Sequence, residues 1–135
     1  QATRPWQHVL EPLHGYLTLA EKLWQDGPAL AEAWNFGPND DDVKPVAWLV
    51  DYITRRWGSG ASWRHDQTEQ PHENTLLKLD CAKAKSRLHW QPRLDLATAL
   101  DWIVAWFQGY QRGDDVRALT ADQIKQFAQM HQGPA

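Results

Sequence analysis

The chain has 135 residues, 14 Lys and Arg against 17 Asp and Glu, and a net charge of −3. That length suffices for one domain with a real core, and the lack of a basic stripe argues against a nucleic-acid binder. The apolar runs are too short to span a bilayer, no signal-peptide pattern opens the chain, and one cysteine, Cys81, cannot form an internal disulfide, so a reducing cytoplasm is the expected location.

Residues 3–9 read as extended, with Pro5 confining them to an edge or a loop. There, Arg4-Pro5-Trp6-Gln7-His8-Val9 sets a cation beside a rigid residue and an indole. A guanidinium presents a planar fork of donors that matches phosphate, so Arg4 is a candidate anion clamp at the lip of a cleft. Leu10, Leu13, Leu17, Ala20 and Trp24 then recur at helical spacing, a stripe expected to face a core. Pro12 is tolerated in the first turn, and Gly27-Pro28 ends the helix. Residues 32–38 are aromatic and closed by Gly-Pro, which predicts a strand and a turn, with Asn35 at the strand end. Asp40, Asp41 and Asp42 read as a solvated loop.

A second helix is expected from near Pro45, with Val46, Leu49, Val50, Ile53 and Trp57 on one face and Gly58 closing it. Short strands are expected at 61–65 and 75–79, around a polar segment. Asp80 is placed to cap a helix running through Leu88, and Asp95 to cap the longest helix. That helix carries Leu96, Leu100, Ile103 and Phe107 on one stripe and Trp102 and Trp106 on another, with Gly109 and Gly113 at a fraying end. Thr120 and Gln123 resemble a capping box for a last helix holding Ile124, Phe127 and Ala128. The sum is about five helices and three or four short strands, and their alternation predicts an α/β fold. The strands are too short for a self-contained sheet, and no initiator Met opens the chain. It therefore reads as the second part of something larger. Nine tryptophans point the same way, to faces covered in the native assembly.

Most chemical constellations fail on spacing. His65, Asp66, His72 and Glu73 cluster in sequence without the three or four convergent ligands zinc needs, so no metal is expected. His8 and His14 are six apart, wrong for one helix face. Cys81 is expected to be a small buried hydrophobe and not a nucleophile served by His72. Gly58-Ser59-Gly60 lacks the third glycine of a dinucleotide loop. Tyr16, Tyr52 and Tyr110 are followed four residues on by Ala20, Arg56 and Asp114, so no Tyr-x-x-x-Lys pair is present. A sugar-stacking tryptophan platform is disfavoured because Trp24 and Trp57 lie on apolar stripes, as core and interface residues do. The acidic run lacks EF-hand spacing. Arg4 and Asn35 remain, the latter where open α/β sheets place ligand contacts.

Arg4-Pro5-Trp6-Gln7-His8-Val9, an apolar helix and Trp34-Asn35-Phe36-Gly37-Pro38, in that order, resemble the C-terminal part of the sugar-nucleotide enzymes of the extended short-chain dehydrogenase/reductase family. Pro71-His72-Glu73, the stretch from Leu77 to Ala84, and Leu88-His89-Trp90-Gln91-Pro92-Arg93 resemble in particular its 4,6-dehydratase branch acting on CDP-glucose. The resemblance covers roughly residues 3 to 130. It implies that residues 1–135 are a substrate-binding C-terminal portion. A Rossmann portion that holds NAD and the catalytic residues would lie outside the chain.

The reaction so implied oxidises the sugar at C4, eliminates water across C5–C6 and returns hydride to C6. Its product is a 4-keto-6-deoxy sugar nucleotide used for bacterial lipopolysaccharide. The resemblance assigns Arg4 to the substrate diphosphate, Asn35 to the substrate side, and His72 as a substitute for an arginine that related enzymes carry near Gln70. His89 stands where many relatives have glycine. It further implies a cytoplasmic homodimer in the full-length protein, and a fragment that is inactive by itself and exposes apolar helix faces. Two alternatives stay open: another nucleotide-sugar epimerase or dehydratase of the family, and a stand-alone, non-enzymatic binding module.

Overall fold

The computed structural model describes residues 2–66, 68 and 76–130. Among these the chain is mostly helical, with five α-helices and a two-stranded antiparallel sheet, an arrangement consistent with α/β. Strand β1 (Thr3–Pro5) pairs with β2 (Val43–Pro45). Between them lies α1 (Leu10–Asp26), followed by a short 3-10 turn at Gly27–Leu30. Helix α2 (Val46–Trp57) continues directly from β2. Helices α3 (Ala82–Leu88), α4 (Leu96–Arg112) and α5 (Val116–Gln129) complete the chain. No helix among the described residues is long and apolar enough to cross a membrane.

The expected stops of α1 and α2 and the expected cap of α4 are in place, and the start of α3 differs by one position. Gly27 and Gly58 close α1 and α2 at φ 77° and 70°, backbone geometry that favours glycine. The N-cap of α3 is Cys81 and not Asp80, which stands one residue earlier and whose Oδ1 accepts from the Ala82 N–H at 2.9 Å. Asp95 Oδ1 accepts from the Thr98 N–H at 2.7 Å and starts α4. His89 ends α3 in the left-handed conformation, φ 52°, backbone geometry that favours glycine.

The strands depart from expectation. Residues 32–38 form no strand. Their aromatic rings are used for packing: Trp34 donates to its own Leu30 O at 3.0 Å and lies under Lys83 and Arg87, while Phe36 is buried against Trp90. Asn35 is thus in an irregular segment and not at a strand end. Residues 61–65 are irregular as well. The strand expected at 75–79 reduces to one parallel bridge, Leu76 to Thr3, with Thr75 outside the described residues. Conversely, β2 forms where a loop and a helix start were expected.

The last two helices also differ. Gly109 does not mark an end. It is buried inside α4, and a Cβ there would stand 2.5 Å from Leu119 Cδ1, so it is a notch that admits α5. Helix α5 begins at Val116, capped by Asp115, whose Oδ1 accepts from Arg117 N–H and Ala118 N–H. Thr120 and Gln123 therefore lie within the helix and reach across to α4. Trp106 Nε1 donates to Thr120 Oγ1, and Gln123 Nε2 donates to Trp102 O, both at 2.9 Å.

One core cluster joins Phe36, Cys81, Ala84, Leu88 and Trp90, with Leu19, Leu30 and Trp34 at its edge. A second joins Leu94, Ala99 and Phe127. Helix α1 serves the first cluster with an unexpected face. Gly15 is buried against Phe36, where a Cβ would stand 2.5 Å from the ring. The stripe read as core is instead largely outward: Leu13, Leu17, Ala20 and Trp24 are exposed, Trp24 to 91%. The bulky ring of Phe36 needs a flat surface, so the helix turns its glycine inward and its leucines outward.

Candidate functional site

The β1–β2 ribbon places the first candidate. Val46 N–H donates to Ala2 O at 3.1 Å. Hydrogen-bonded and non-bonded pairs alternate along an antiparallel ladder, so Thr3–Pro45 and Pro5–Val43 fall at non-bonded positions. Both prolines therefore sit where no ladder N–H is needed. Arg4 lies directly opposite Lys44. Its Nη1 donates to Thr3 O at 2.9 Å. On the other side of β1, Leu77 N–H donates to Thr3 O at 3.2 Å. Arg4 is thus carried on the middle of three short extended segments. The residues after it are tied down. Trp6 Nε1 donates to Lys44 O and Gln7 Nε2 donates to Phe36 O, both at 2.9 Å.

Through Gln7, the ribbon is linked to the segment that holds Asn35. Asn35 is exposed, and its Nδ2 donates to Asp80 O at 3.1 Å, which ties this segment to the start of α3. Beside it an open hollow of about 620 Å³ is lined by Pro38, Asp40, Lys78, Cys81 and Lys85. Lys78 Nζ pairs with Asp40 at 3.1 Å, and Lys85 Nζ donates to Asn39 Oδ1 at 2.9 Å. Cys81 is buried, and burial pushes its thiol above the ordinary value. It has the surroundings of a packing residue rather than a nucleophile. Arg4 and Asn35 thus lie on neighbouring, cross-linked segments, and their side chains do not bond each other. His72 lies outside the described residues, as does Glu73. No group of three or more His, Cys, Asp or Glu among the described residues is placed to hold a metal ion.

Composition and spacing did not single out a buried polar cluster between α1, the segment after Trp90 and α5. Glu11, in the first turn of α1, is 1% exposed. Its Oε1 accepts from Arg93 N–H at 2.9 Å and from Leu94 N–H at 2.7 Å. Burial raises its carboxyl above the ordinary value, against the pull of those two donors and of the Arg93 charge. Arg93 Nη1 donates to Phe127 O at 3.0 Å, and its Nη2 lies 3.0 Å from His14 Nε2. His14 is held below its ordinary value by burial and by the Arg93 charge. Nearby, His8 is buried edge-on to Trp102 and lowered by burial; its Nδ1 accepts from Leu10 N–H at 3.3 Å. Among the described residues Glu11 Oε2, His14 Nδ1 and Arg93 Nε are buried without a hydrogen-bond partner.

This cluster ties α1, the turn after Trp90 and α5 into one unit. The sequence signal for Glu11 was faint: an acid one position off an apolar stripe, in the first helical turn before Pro12.

No protein-family model matches the chain. Over 124 residues, 92% of its length, it is 45% identical to a CDP-glucose 4,6-dehydratase of Salmonella typhimurium. The chain is similar to the C-terminal part of that enzyme. It spans 34% of the dehydratase's length. The Trp-Asn-Phe-Gly-Pro and Leu-His-Trp-Gln-Pro segments that carried the resemblance correspond to the two sides of the first core cluster, at Phe36 and at Leu88 and Trp90. The resemblance to the CDP-glucose dehydratase is therefore carried partly by the residues that hold this portion together.

Proposed function

We propose that this chain forms the nucleotide-sugar side of an NAD-dependent CDP-glucose 4,6-dehydratase, the enzyme that converts CDP-glucose to CDP-4-keto-6-deoxyglucose. The observation that carries this reading is the 45% identity over 92% of the chain. In it, Arg4 meets the substrate diphosphate and Asn35 and His72 stand on the substrate side. Asn35 acts mainly by holding its segment against α3, because its amide donates to Asp80 O.

The chain has neither a glycine-rich phosphate loop nor a Tyr-x-x-x-Lys pair. Its residues do not fit a nicotinamide cofactor, and we assign none of them to a step of the redox chemistry. Its part is positioning: binding energy from the remote nucleotide orients the sugar for reaction elsewhere in the enzyme. The Rossmann portion is placed outside this chain. In this reading it covers the outward stripe of α1, the full protein is a cytoplasmic homodimer, and the 135-residue chain by itself is inactive.

The test is a steady-state assay of the full-length protein with CDP-glucose and NAD. CDP is expected to compete with the substrate, and dTDP and UDP are not. Arg4→Ala is expected to raise KM for CDP-glucose about tenfold, the scale of one charge-assisted hydrogen bond, while NAD binding is unchanged. Equal competition by UDP would favour another nucleotide-sugar enzyme of the family, and an unchanged KM would remove Arg4 from the diphosphate.

A further inference from the structure

Arg4 and Lys44 face each other across the antiparallel ribbon. Directly opposed residues share one face, with Cβ atoms about 4.5–5.5 Å apart, and like charges so placed destabilise the pair. Each strand is three residues long, and the two cations stand at the middle of each.

Lys44 is nevertheless held in place. Its carbonyl accepts from Trp6 Nε1 at 2.9 Å, and its Nζ stands 6.0 Å from the centroid of the Trp48 ring. Trp48 is itself stacked on Tyr52, with centroids 5.3 Å apart, and the Tyr52 hydroxyl donates to Asp101 at 3.0 Å. The lysine therefore runs along a fixed aromatic wall. No carboxylate pairs with it among the described residues. Two of the acids just before it are engaged elsewhere: Asp42 Oδ1 accepts from Leu96 N–H at 2.9 Å, and Asp40 pairs with Lys78.

We propose that Lys44 is the second cation of the anion site that Arg4 opens. The two side chains bracket the diphosphate of a nucleoside-diphosphate ligand, Arg4 by its planar fork and Lys44 as a point charge. An anion lying across both is attracted by each. The inference deepens the nucleotide-sugar reading and rests on it.

The test uses the full-length protein and calorimetric titration with CDP, CMP and cytidine, on the unaltered protein and on Lys44→Ala and Lys44→Arg. The unaltered protein is expected to bind CDP more tightly than cytidine. Lys44→Ala is expected to weaken CDP about tenfold and to leave cytidine unchanged, and Lys44→Arg to restore most of the loss. The thermal midpoint of Lys44→Ala without ligand is expected to be unchanged, as for an ordinary partly exposed residue. If the unaltered protein prefers CDP and Lys44→Ala binds it equally well, the role of Lys44 falls and the nucleotide-sugar reading stands. If the unaltered protein does not distinguish CDP from cytidine, both fall. Affinity lost equally for CDP and cytidine, with a lowered midpoint, would make Lys44 a structural residue and overturn the inference.

Discussion

Trp90 and Trp24 are the same side chain at opposite extremes of exposure. Trp90 is 0% exposed and meets the Phe36 ring edge-on at 5.0 Å, inside a cluster closed by Cys81, Ala84 and Leu88. Trp24 is 91% exposed at the end of a stripe that also leaves Val9, Leu13 and Leu17 outward. Near the start of that stripe an apolar cavity of about 320 Å³ opens between α1, α4 and α5, lined by Val9, Phe107 and Ile124 among others. One region is a finished core, and the other is an apolar surface of the kind that marks a contact site. The difference teaches that helical periodicity marks which face of α1 avoids water, not which partner covers it.

Breaking the finished region should have the largest effect. Trp90→Ala leaves a cavity between α3 and Phe36, and the expected cost is about 3–5 kcal/mol. It is read as a fall in the denaturant midpoint with an unchanged slope. A cost below about 1 kcal/mol, that of an ordinary surface change, would mean the cluster around Trp90 is not the core of this portion.

Glu11 sharpens the comparison at its hinge, because it joins α1 to the Trp90 side. Burial raises its folded pKa above 4.5. The folded form then holds its proton more tightly than the unfolded chain, so this contribution to stability is present at low pH and is lost as pH rises through the raised value. His8 and His14 are lowered from 6.5. Their contribution has the opposite sign: it is present above 6.5 and is lost as pH falls through their lowered values. Glu11→Gln removes the opposing slope, so its stability is expected to fall more steeply on acidification between 6.5 and 4.5 than that of the unaltered chain. Replacing one hydrogen-bonded acceptor by another of the same shape should cost about 1–2 kcal/mol at neutral pH. Denaturant midpoints across that interval check both statements, and parallel pH curves would remove Glu11 from the linkage.

The smallest effect belongs to the open region. Trp24→Ser is expected to change the stability of the chain by no more than about 0.5 kcal/mol, while lowering self-association of the chain measured by sedimentation. A loss of stability as large as that of Trp90→Ala would erase the distinction between the two regions.

Local chemistry made much of the fold legible. The glycines after Asp26 and Trp57 and the acids at Asp80 and Asp95 act within one turn of where they stand, so they mark helix ends from sequence. Thr120 and Gln123 misled because a capping box and a cross-helix pair use the same residue types, and Asp115, nearer the start of the helix, is the residue that caps it. Residues 32–38 misled because aromatic content suits a strand and a core corner equally. In the candidate site, the sequence could single out Arg4 as a cation next to Pro and Trp, but a lone arginine is weakly specific. Lys44 could not be singled out, because its place opposite Arg4 comes from a register with a strand 40 residues away. Glu11 was hidden in the same way: its partners, the Arg93 and Leu94 N–H groups, are more than 80 positions distant.

The sequence by itself determined the five helices, most of their ends, and the resemblance to a sugar-nucleotide dehydratase. Those depend on spacing, caps and local motifs, which act over a few residues. Only the tertiary structure decided that α1 turns Gly15 and Glu11 inward and Leu17 and Trp24 outward, that Pro5 and Pro45 fall at non-bonded positions of a ribbon, and that Arg4 faces Lys44. The reason is physical: each of these depends on the shape or charge of a surface brought from far along the chain, and no local pattern encodes which surface that is.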